Sequence, residues 1–514
     1  MRIRTTFLLA VLGIVASSAG ALAIPVSPAR KAGAIRSDDA TVVVAGSETR
    51  TPSRFVAGKT MLVDARLGHA SVAEGGSQET FLFAQVSGAE ARAEDKAPPV
   101  NLAIVIDRSG SMKGERIANA IAAAVGSVER MRDGDRVTVV AFDTVAQVLV
   151  PPTRVDAQSR SRIESQIRSV RLGGDTCISC GLDEAMRQLE TVSLSGDQVN
   201  RMVLLSDGAA NFGVRDVPGL RTQAARMQRK GFAISTVGVD VDFDEKVMAA
   251  IANESNGKHY FVANASGLPK VFSEEFDSLL ASVARDAEMV IELAPGVEVA
   301  EVFDRTFRRE GNRLIVPFGT FSANQEKTVL VKLRVPATGA GEKAVADVKL
   351  AYRDLQARND GQCSGNLAVV VTDSGRAQRD LDPFVAARVE RSRTAQTLTE
   401  ANKLFEQGRI GEARARLAAQ AQNLKAKEEA NVALALAQPS VAPRRASKSL
   451  DRDFEDQLGA VARAEATFAA PPPPAPGHGA GGFAGPSRPP ASQPADAAKA
   501  QVRANQASAT ELGF

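Results

Sequence analysis

The strongest constraint on the fold is an alternation of short apolar runs and helical patterns between residues 100 and 285. Apolar runs at 100–106, 136–142, 201–206, 232–238 and 258–262 predict strands. Helical patterns lie at or near 114–131, 157–170, 181–191, 216–230, 244–255 and 268–284. Such alternation is typical of a mainly parallel sheet covered on both faces. We therefore predict an α/β domain over residues 98–285, with a doubly wound, mainly parallel, Rossmann-like sheet.

Segments of β type flank that domain and lack intervening helices. Runs at 41–45, 60–67 and 80–86 precede it, and runs that start at Met289, Arg313, Thr328 and Leu367 follow it. The strands before Ser87 are too few to bury a core alone. We therefore predict that residues 41–96 join residues 286–375 in one β-sandwich.

The last quarter of the chain changes composition twice. Residues 382–436 are rich in Ala, Glu and Arg with helical spacing, and they predict a small helical hairpin packed on the sandwich. A single tetratricopeptide-type helix pair is the alternative, although such repeats need about three neighbours for stability. Residues 439–514 contain Pro- and Gly-rich stretches that cannot bury a core, so we predict a largely disordered tail with room for a short helix near 450–466.

The N-terminus has the pattern of an export signal. Arg2 and Arg4 precede an uncharged apolar run from Phe7 to Ala23, which ends in the small-residue site Ala21-Leu22-Ala23. The run is short for a membrane-spanning helix, the alternative that remains open. We predict a signal peptide at 1–23 and a mature chain that is periplasmic, on the cell surface or secreted.

Composition excludes some partner classes. The net charge is only +3, Trp is absent and there are two Tyr among 514 residues. A nearly balanced charge gives no footprint for nucleic acid or for a polybasic membrane contact. Few aromatic rings also leave no stacking platform for single-stranded nucleic acid.

Oxygen-bearing side chains follow two of the buried strands and one Gly-rich loop. The strand at 100–106 runs into Asp107, Ser109 and Ser111, and the strand at 201–206 runs into Asp207. Thr176 ends the loop that begins at Gly173. Ligands of such sheets bind beyond the carboxyl ends of the strands, and hard divalent cations prefer oxygen ligands. A capped helix start is the structural alternative for the first motif alone.

These three motifs, in this order, resemble the metal-ion-dependent adhesion site of von Willebrand factor type A (VWA) domains. The resemblance rests on Asp107-Arg-Ser-Gly-Ser-Met, Gly174-Asp-Thr-Cys-Ile-Ser-Cys-Gly-Leu and Val203-Leu-Leu-Ser-Asp-Gly. It implies that Asp107, Ser109, Ser111, Thr176 and Asp207 hold a divalent cation, normally Mg²⁺, with Mn²⁺ or Ca²⁺ as alternatives. It also implies a protein partner that offers Asp or Glu to the cation. Asp175 stands where the family commonly has Gly, which places it beside the ligands or changes the charge of the site.

The wider layout resembles exported bacterial VWA proteins and inter-α-trypsin inhibitor heavy chains, in which a sandwich brackets the metal domain. It implies a metal-dependent adhesion or protein-binding module. The alternative is an envelope assembly or maturation factor that recruits a client through the same domain.

Three cysteines are present, so one of them lacks a partner within the chain. Cys177 and Cys180 follow Thr176 directly, and we favour a structural disulfide over a redox pair in an exported protein. Asp240 to Asp244 fails the calcium-loop pattern because Glu245 and Ile251 replace the required Gly and Glu. No hydrolase, zinc or phosphate-loop motif is found, so no catalytic residue and no enzymatic activity are predicted.

Overall fold

The computed structural model describes residues 42–45, 51–90, 97–192, 196–240, 243–303, 305–437, 443–469, 502–509 and 512. The predicted signal peptide at 1–23 lies outside these residues, as do residues 439–442, 470–501, 510–511 and 513–514 of the predicted tail. Within the described part, none of the helices is both long and apolar enough to span a bilayer.

Five strands come first: β1 Val42–Ala45, β2 Arg54–Gly58, β3 Met61–Leu67, β4 Ser71–Ala73 and β5 Ser77–Gly88. The central domain then follows with β6 Val100–Asp107, α1 Glu115–Arg130, β7 Arg136–Phe142, β8 Ala146–Arg154, α2 Ala157–Arg168, α3 Ile178–Leu189, β9 Val199–Ser206, α4 Val217–Arg229, β10 Ala233–Val239, α5 Glu245–Glu254, β11 His259–Val262 and α6 Leu268–Leu280. Next are β12 Ser282–Leu293, β13 Glu298–Phe303, β14 Arg308–Glu310, β15 Arg313–Ser322, β16 Glu326–Pro336, β17 Gly341–Asp354 and β18 Asn359–Thr372. The helices α7 Pro383–Glu406, α8 Ile410–Ala437 and α9 Pro443–Ala469 complete the series.

The central sheet has the order β11-β10-β9-β6-β7-β8. All neighbours pair in parallel except β7 and β8, which form an antiparallel edge. The connections run outward from β6 in both directions, so β6 and β9 flank the topological switch point. A crevice opens there, beyond the carboxyl ends of the two strands.

Both faces of this sheet are covered by helices, as the apolar alternation of its strands requires. On β6, Leu102, Ile104 and Ile106 face the core that contains α1, α2 and α6. Ala103 and Val105 face the opposite core, which α3, α4 and α5 complete. The predicted doubly wound α/β class is confirmed.

Two further sheets pack on a shared apolar core and contain strands from both sides of the central domain. One has the order β1-β18-β17-β12-β15-β14, with β4 also paired to β18. The other has the order β13-β16-β5-β3-β2. Because β1 pairs with β18 and β5 pairs with β16, the chain leaves the sandwich, builds the α/β domain and returns.

The last helix of the α/β domain ends earlier than the helical pattern at 268–284 predicts. Helix α6 ends at Leu280, and Ser282 already begins β12, which pairs with β15. Ala284 lies opposite Phe321 in that pairing, so strand pairing takes precedence over the local helical spacing. Strand β17 was not among the predicted runs, because small and charged residues alternate along most of its length.

The helical part is larger than the predicted hairpin at 382–436. Helix α9 packs on α7 and α8 through buried side chains that include Phe454, Val461 and Phe468. Residues 502–509 are also helical, and Ala509 and Leu512 belong to the same core. The short helix allowed near 450–466 is present within the longer helix α9, whereas the helix at 502–509 was not predicted. Their apolar residues are spaced for one buried face but are surrounded by Ala- and Pro-rich sequence.

Candidate metal centre

Asp107 is the last residue of β6 and lies at the switch point. Its carboxylate is fully buried and accepts hydrogen bonds from the Ser109 backbone N–H at 2.8 Å and from Ser206 Oγ at 2.5 Å. Ser206 ends the neighbouring strand β9, where Ile106 pairs with Leu205. Strand register and the turn after β6 therefore fix the position of the Asp107 carboxylate.

A chain of hydroxyl groups links the first loop to Asp207. Ser111 Oγ donates to Asp207 Oδ1 at 2.7 Å and lies 3.0 Å from Ser109 Oγ. Asp107, Ser109 and Asp207 are buried, whereas Ser111 is exposed. The cluster thus opens to solvent on the side of Ser111.

Thr176 is brought to the same place by the loop before α3. A Cβ built on Gly208 would lie 3.5 Å from Ser111 Oγ and 3.7 Å from Thr176 Oγ1, so both hydroxyls converge on one point. The Thr176 backbone N–H donates to Asn211 Oδ1 at 2.7 Å. All five predicted ligands, Asp107, Ser109, Ser111, Thr176 and Asp207, are therefore brought together at one edge of the sheet.

The three loops are bonded to one another. The backbone N–H of Gly110 donates to Gly174 O at 3.1 Å, and that of Gly173 donates to Arg108 O at 2.8 Å. Glycine is required at 173, because a Cβ there would lie 1.6 Å from Asp143 Oδ2. Asp143 is held in turn by Arg108, with Nη2 and Oδ2 3.1 Å apart. These contacts form a frame that fixes the positions of the first two ligand-bearing loops relative to each other.

Charge in the cluster is unevenly balanced. Burial raises the pKa of Asp107 to about 6, against the hydrogen bonds from Ser206 and Ser109, and the charge of Asp207 adds to the rise. A positively charged side chain, that of Arg116 in the first turn of α1, contacts the cluster. Its Nη1 donates to Asp207 Oδ2 at 2.8 Å. One guanidinium at the rim thus faces two buried carboxylates.

The donor set fits a hard divalent cation. It consists of two carboxylates and three hydroxyl oxygens, with no sulfur or imidazole among them. Among the described residues, no three side chains of the types His, Cys, Asp and Glu come together, so hydroxyls must complete any oxygen shell here. Burial is the main reason that the pKa of Asp107 is raised, and a bound dication would favour the ionised form of this carboxyl.

Asp175 lies beside the cluster rather than within its hydrogen-bond chain. It is exposed, and its Oδ1 accepts from Asn211 Nδ2 at 3.4 Å. Cys177 and Cys180 form a disulfide at the start of α3, as predicted, directly after Thr176. Cys363 is a free, buried thiol in the sandwich. Asp244 caps α5 by accepting from the Val247 N–H at 3.1 Å, which agrees with the structural interpretation of that segment.

Sequence reasoning missed four residues of this site: Arg116, Asp143, Ser206 and Asn211. Ser206 could have been found, since it directly precedes Asp207 at a strand end. Arg116 gave no signal, because a charged residue in the first turn of a helix is usually only solvated.

Exposed apolar side chains occur on and beside the loops of the cluster. Val145, Leu172, Phe212 and Val214 are between 41% and 61% exposed and form what we call the apolar rim. Leu172, Phe212 and Val214 lie on loops that bear ligands, and the Phe212 N–H donates to Thr176 O at 3.2 Å. Val145 lies in the turn between β7 and β8, where the neighbouring Thr144 Oγ1 accepts from the Asp175 N–H at 2.9 Å. The other large exposed apolar side chains of the described residues, Leu62, Phe307 and Val370, lie outside the α/β domain. Exposed apolar area of this kind marks interaction sites.

A cavity of about 1160 Å³ lies elsewhere, lined by residues of the α/β domain, the sandwich and the helices α7 and α9. None of the five clustered ligands lines it. The open cluster and this cavity are therefore separate features.

Comparisons with known proteins agree with the fold. A model of the von Willebrand factor type A domain family matches residues 101–274. A solved structure described as von Willebrand factor type A from Catenulispora acidiphila superimposes with a TM-score of 0.60, over 77% of this chain and 93% of that one, at 18% identity. At this identity the match shows the fold alone.

Relatives by sequence differ in how much of them is matched. An uncharacterized protein of Synechocystis is 26% identical over 59% of this chain and 72% of its own length. Inter-alpha-trypsin inhibitor heavy chain H2 of Mus musculus is 24% identical over 50% of this chain and 27% of its own. The E3 ubiquitin-protein ligase WAV3 of Arabidopsis thaliana is 24% identical over 60% of this chain and 40% of its own. The last two are therefore matched over less than half of their length.

Proposed function

We propose that this chain, which contains a von Willebrand factor type A domain, is an exported binding protein that grips an acidic side chain of a partner through a divalent cation. Asp107, Ser109, Ser111, Thr176 and Asp207 would hold the cation, with Mg²⁺ preferred and Mn²⁺ or Ca²⁺ as alternatives. A bound dication would offer a coordination position to a carboxylate oxygen of the partner.

The observation that carries this proposal is the clustering of five oxygen-bearing side chains at one solvent-open edge of the central sheet, close to the side chains of the apolar rim. Asp107 and Asp207 are at most 1% exposed, so the negative charge sits at the bottom of the site. Ser111 forms its open side. The rim then provides apolar area for the partner around the acidic contact, which is the usual arrangement of a polar anchor and desolvated surroundings.

We propose no catalytic role for this site. Asp107 and Asp207 are engaged with serine hydroxyls, a backbone N–H and a guanidinium. Among the described residues, the hydrogen bonds of this frame involve no His, and Asp175, an exposed acid of the second loop, accepts from Asn211. The described contacts therefore support binding rather than proton transfer.

The test is a calorimetric titration of the whole chain with MgCl₂ and MnCl₂ after treatment with a chelator. We expect saturable binding of one cation and its loss, by at least about a hundredfold in Kd, in Asp107→Ala, because two carboxylates supply the charge of the site. Asp183→Ala is the matched control, since Asp183 is an exposed acid of the same domain that pairs with Arg226. Equal cation affinity in wild type and Asp107→Ala, with both folded, would refute the site.

The partner contact is tested by a pull-down with and without chelator, using wild type, Asp107→Ala and Phe212→Ser. We expect a partner that is retained only with the cation, lost with Asp107→Ala and weakened with Phe212→Ser. Phe212→Ser should leave the cation affinity unchanged, because its side chain lies on the rim and only its backbone N–H bonds Thr176. Retention that ignores the chelator would contradict a cation-bridged contact.

A further inference from the structure

Arg116 occupies a position that cation binding alone does not require. Its Nη1 donates to Asp207 Oδ2 at 2.8 Å and to the backbone carbonyl of Ser111 at 2.8 Å. Its Nη2 donates to Asp240, just beyond the end of β10. The planar guanidinium thus bridges a predicted cation ligand and a second carboxylate outside the ligand set.

The two carboxylates differ in their surroundings. The Asp207 side chain is fully buried, whereas the Asp240 side chain is 33% exposed and the Arg116 side chain 30% exposed. A charge contact is stronger where water is excluded, so the guanidinium interacts more strongly at its Asp207 end. Asp240 holds the other end and is itself kept in a left-handed conformation with φ +65°.

We propose that Arg116 is an internal counter-ion that competes with the divalent cation for Asp207, and that Asp240 draws the guanidinium away when the cation binds. This inference rests on the proposed function, since it concerns the same site. Arg116 thereby lowers the cation affinity, and it stabilises the carboxylate pair when no cation is present.

A purely structural role for Arg116 would produce a different result. If the guanidinium served only to tie α1 to the first loop through Ser111 O, its loss would loosen the ligands and weaken cation binding. Competition for Asp207 has the opposite sign, because its loss frees a ligand and removes a repelling charge. The direction of the affinity change therefore decides between the two roles.

The experiment is calorimetric titration of the whole chain with MgCl₂ and MnCl₂, using wild type, Arg116→Gln, Asp240→Asn and the double variant. Arg130→Gln is the matched control, because Arg130 ends the same helix, pairs with Asp277 on α6 and undergoes the same charge change. We expect Arg116→Gln to tighten Kd by about tenfold, as for loss of a close charge contact. We expect Asp240→Asn to weaken Kd by about threefold in wild type and by less in the Arg116→Gln background.

A second readout is the thermal midpoint in chelator and in MgCl₂. Arg116→Gln should lower the thermal midpoint in chelator, because Asp207 then lies buried beside Asp107 without the positive charge of the Arg116 guanidinium. MgCl₂ should restore the midpoint. Weaker or unchanged cation affinity in Arg116→Gln, with wild type binding normally, would overturn this inference while leaving the proposed site intact. Absence of cation binding in wild type would overturn both this inference and the proposed cation site.

Discussion

The VWA domain contains two buried carboxylate clusters that differ in charge balance. We call Asp107, Ser109, Ser111, Thr176 and Asp207 the open cluster, and Arg201, Ser235, Tyr260 and Glu275 the closed cluster. In the closed cluster, Glu275 accepts from Ser235 Oγ at 2.6 Å and from Tyr260 OH at 2.7 Å, and it pairs with Arg201 at 3.2 Å. Burial opposes ionisation of Glu275, but Arg201 and the other neighbours lower its pKa overall. In the open cluster, burial raises the pKa of Asp107.

Strand β9 contributes to both clusters, which makes the comparison direct. Arg201 lies near its start, opposite Ala233 of β10, and Asp207 follows directly after its end. A charge within a buried strand must be neutralised by the protein itself, and Glu275 on α6 does so. A charge beyond the strand end can be neutralised from outside. The difference indicates that burial together with a deficit of internal counter-charge distinguishes the proposed binding site from a structural ion pair.

The largest expected effect is that neutralising the carboxylate lowers the free energy of unfolding in the closed cluster but raises it in the open cluster. Glu275→Gln should destabilise the fold by about 3–5 kcal/mol, because it leaves Arg201 buried without its counter-charge. Asp107→Asn should instead raise the stability of the chelated protein by about 1–2 kcal/mol at pH 7, because it removes one of two repelling carboxylates. The free energy of unfolding in urea measures both. The double variant Arg201→Gln/Glu275→Gln is the control and should recover part of the loss. If Asp107→Asn cost as much as Glu275→Gln, the distinction would not hold.

The second prediction concerns the pH dependence of the chelated protein. The folded pKa of Asp107, about 6, lies above its ordinary value of 3.8. Protonated Asp107 therefore contributes stability that is fully present below about pH 4 and is lost as the pH rises through 6. The loss from this group amounts to about 3 kcal/mol. Stability measured in urea between pH 4 and 7 should thus fall less steeply in Asp107→Asn than in wild type. If the free energy of unfolding changed with pH in the same way in wild type and Asp107→Asn, titration of Asp107 would not be the cause of the pH dependence.

Sequence reasoning found the open cluster and missed the closed one for a physical reason. Asp107 and Asp207 stand directly after apolar strands, so topology alone places them at one edge of the sheet. Arg201 and Glu275 are 74 positions apart, in a regular strand and a regular helix, and only packing pairs them. Arg116 was missed for the same reason, since its partner Asp240 lies beyond another strand. Periodicity predicts which residues are buried, but it does not predict which buried charges meet.

Helix α9 shows the corresponding limit for the fold. Its Phe454 and Phe468 belong to the same buried core as residues of α7 and α8, which precede Pro439 in the sequence. The composition of residues 439–514 as a whole is dominated by Pro, Gly and Ala. A prediction based on that composition therefore does not recognise the apolar face of α9. The sequence therefore predicted the central domain better than the helical part, where long-range docking decides the structure.

The smallest expected effect concerns how the open cluster is held. The closed cluster is fixed by direct contacts among its members, whereas Thr176 depends on its loop frame and on the adjacent Cys177–Cys180 disulfide. Replacing both cysteines by Ser should lower the free energy of unfolding by about 1–2 kcal/mol, since the bridge closes only a short loop. The Mg²⁺ affinity should fall by only about threefold, because the backbone bonds of Gly110 and Gly173 still join the first and second loops. Urea unfolding and calorimetry measure the two effects, and Cys363→Ser in the sandwich is the control for the cation affinity. A loss of cation binding as large as that of Asp107→Ala would show instead that the disulfide, rather than the loop frame, positions Thr176.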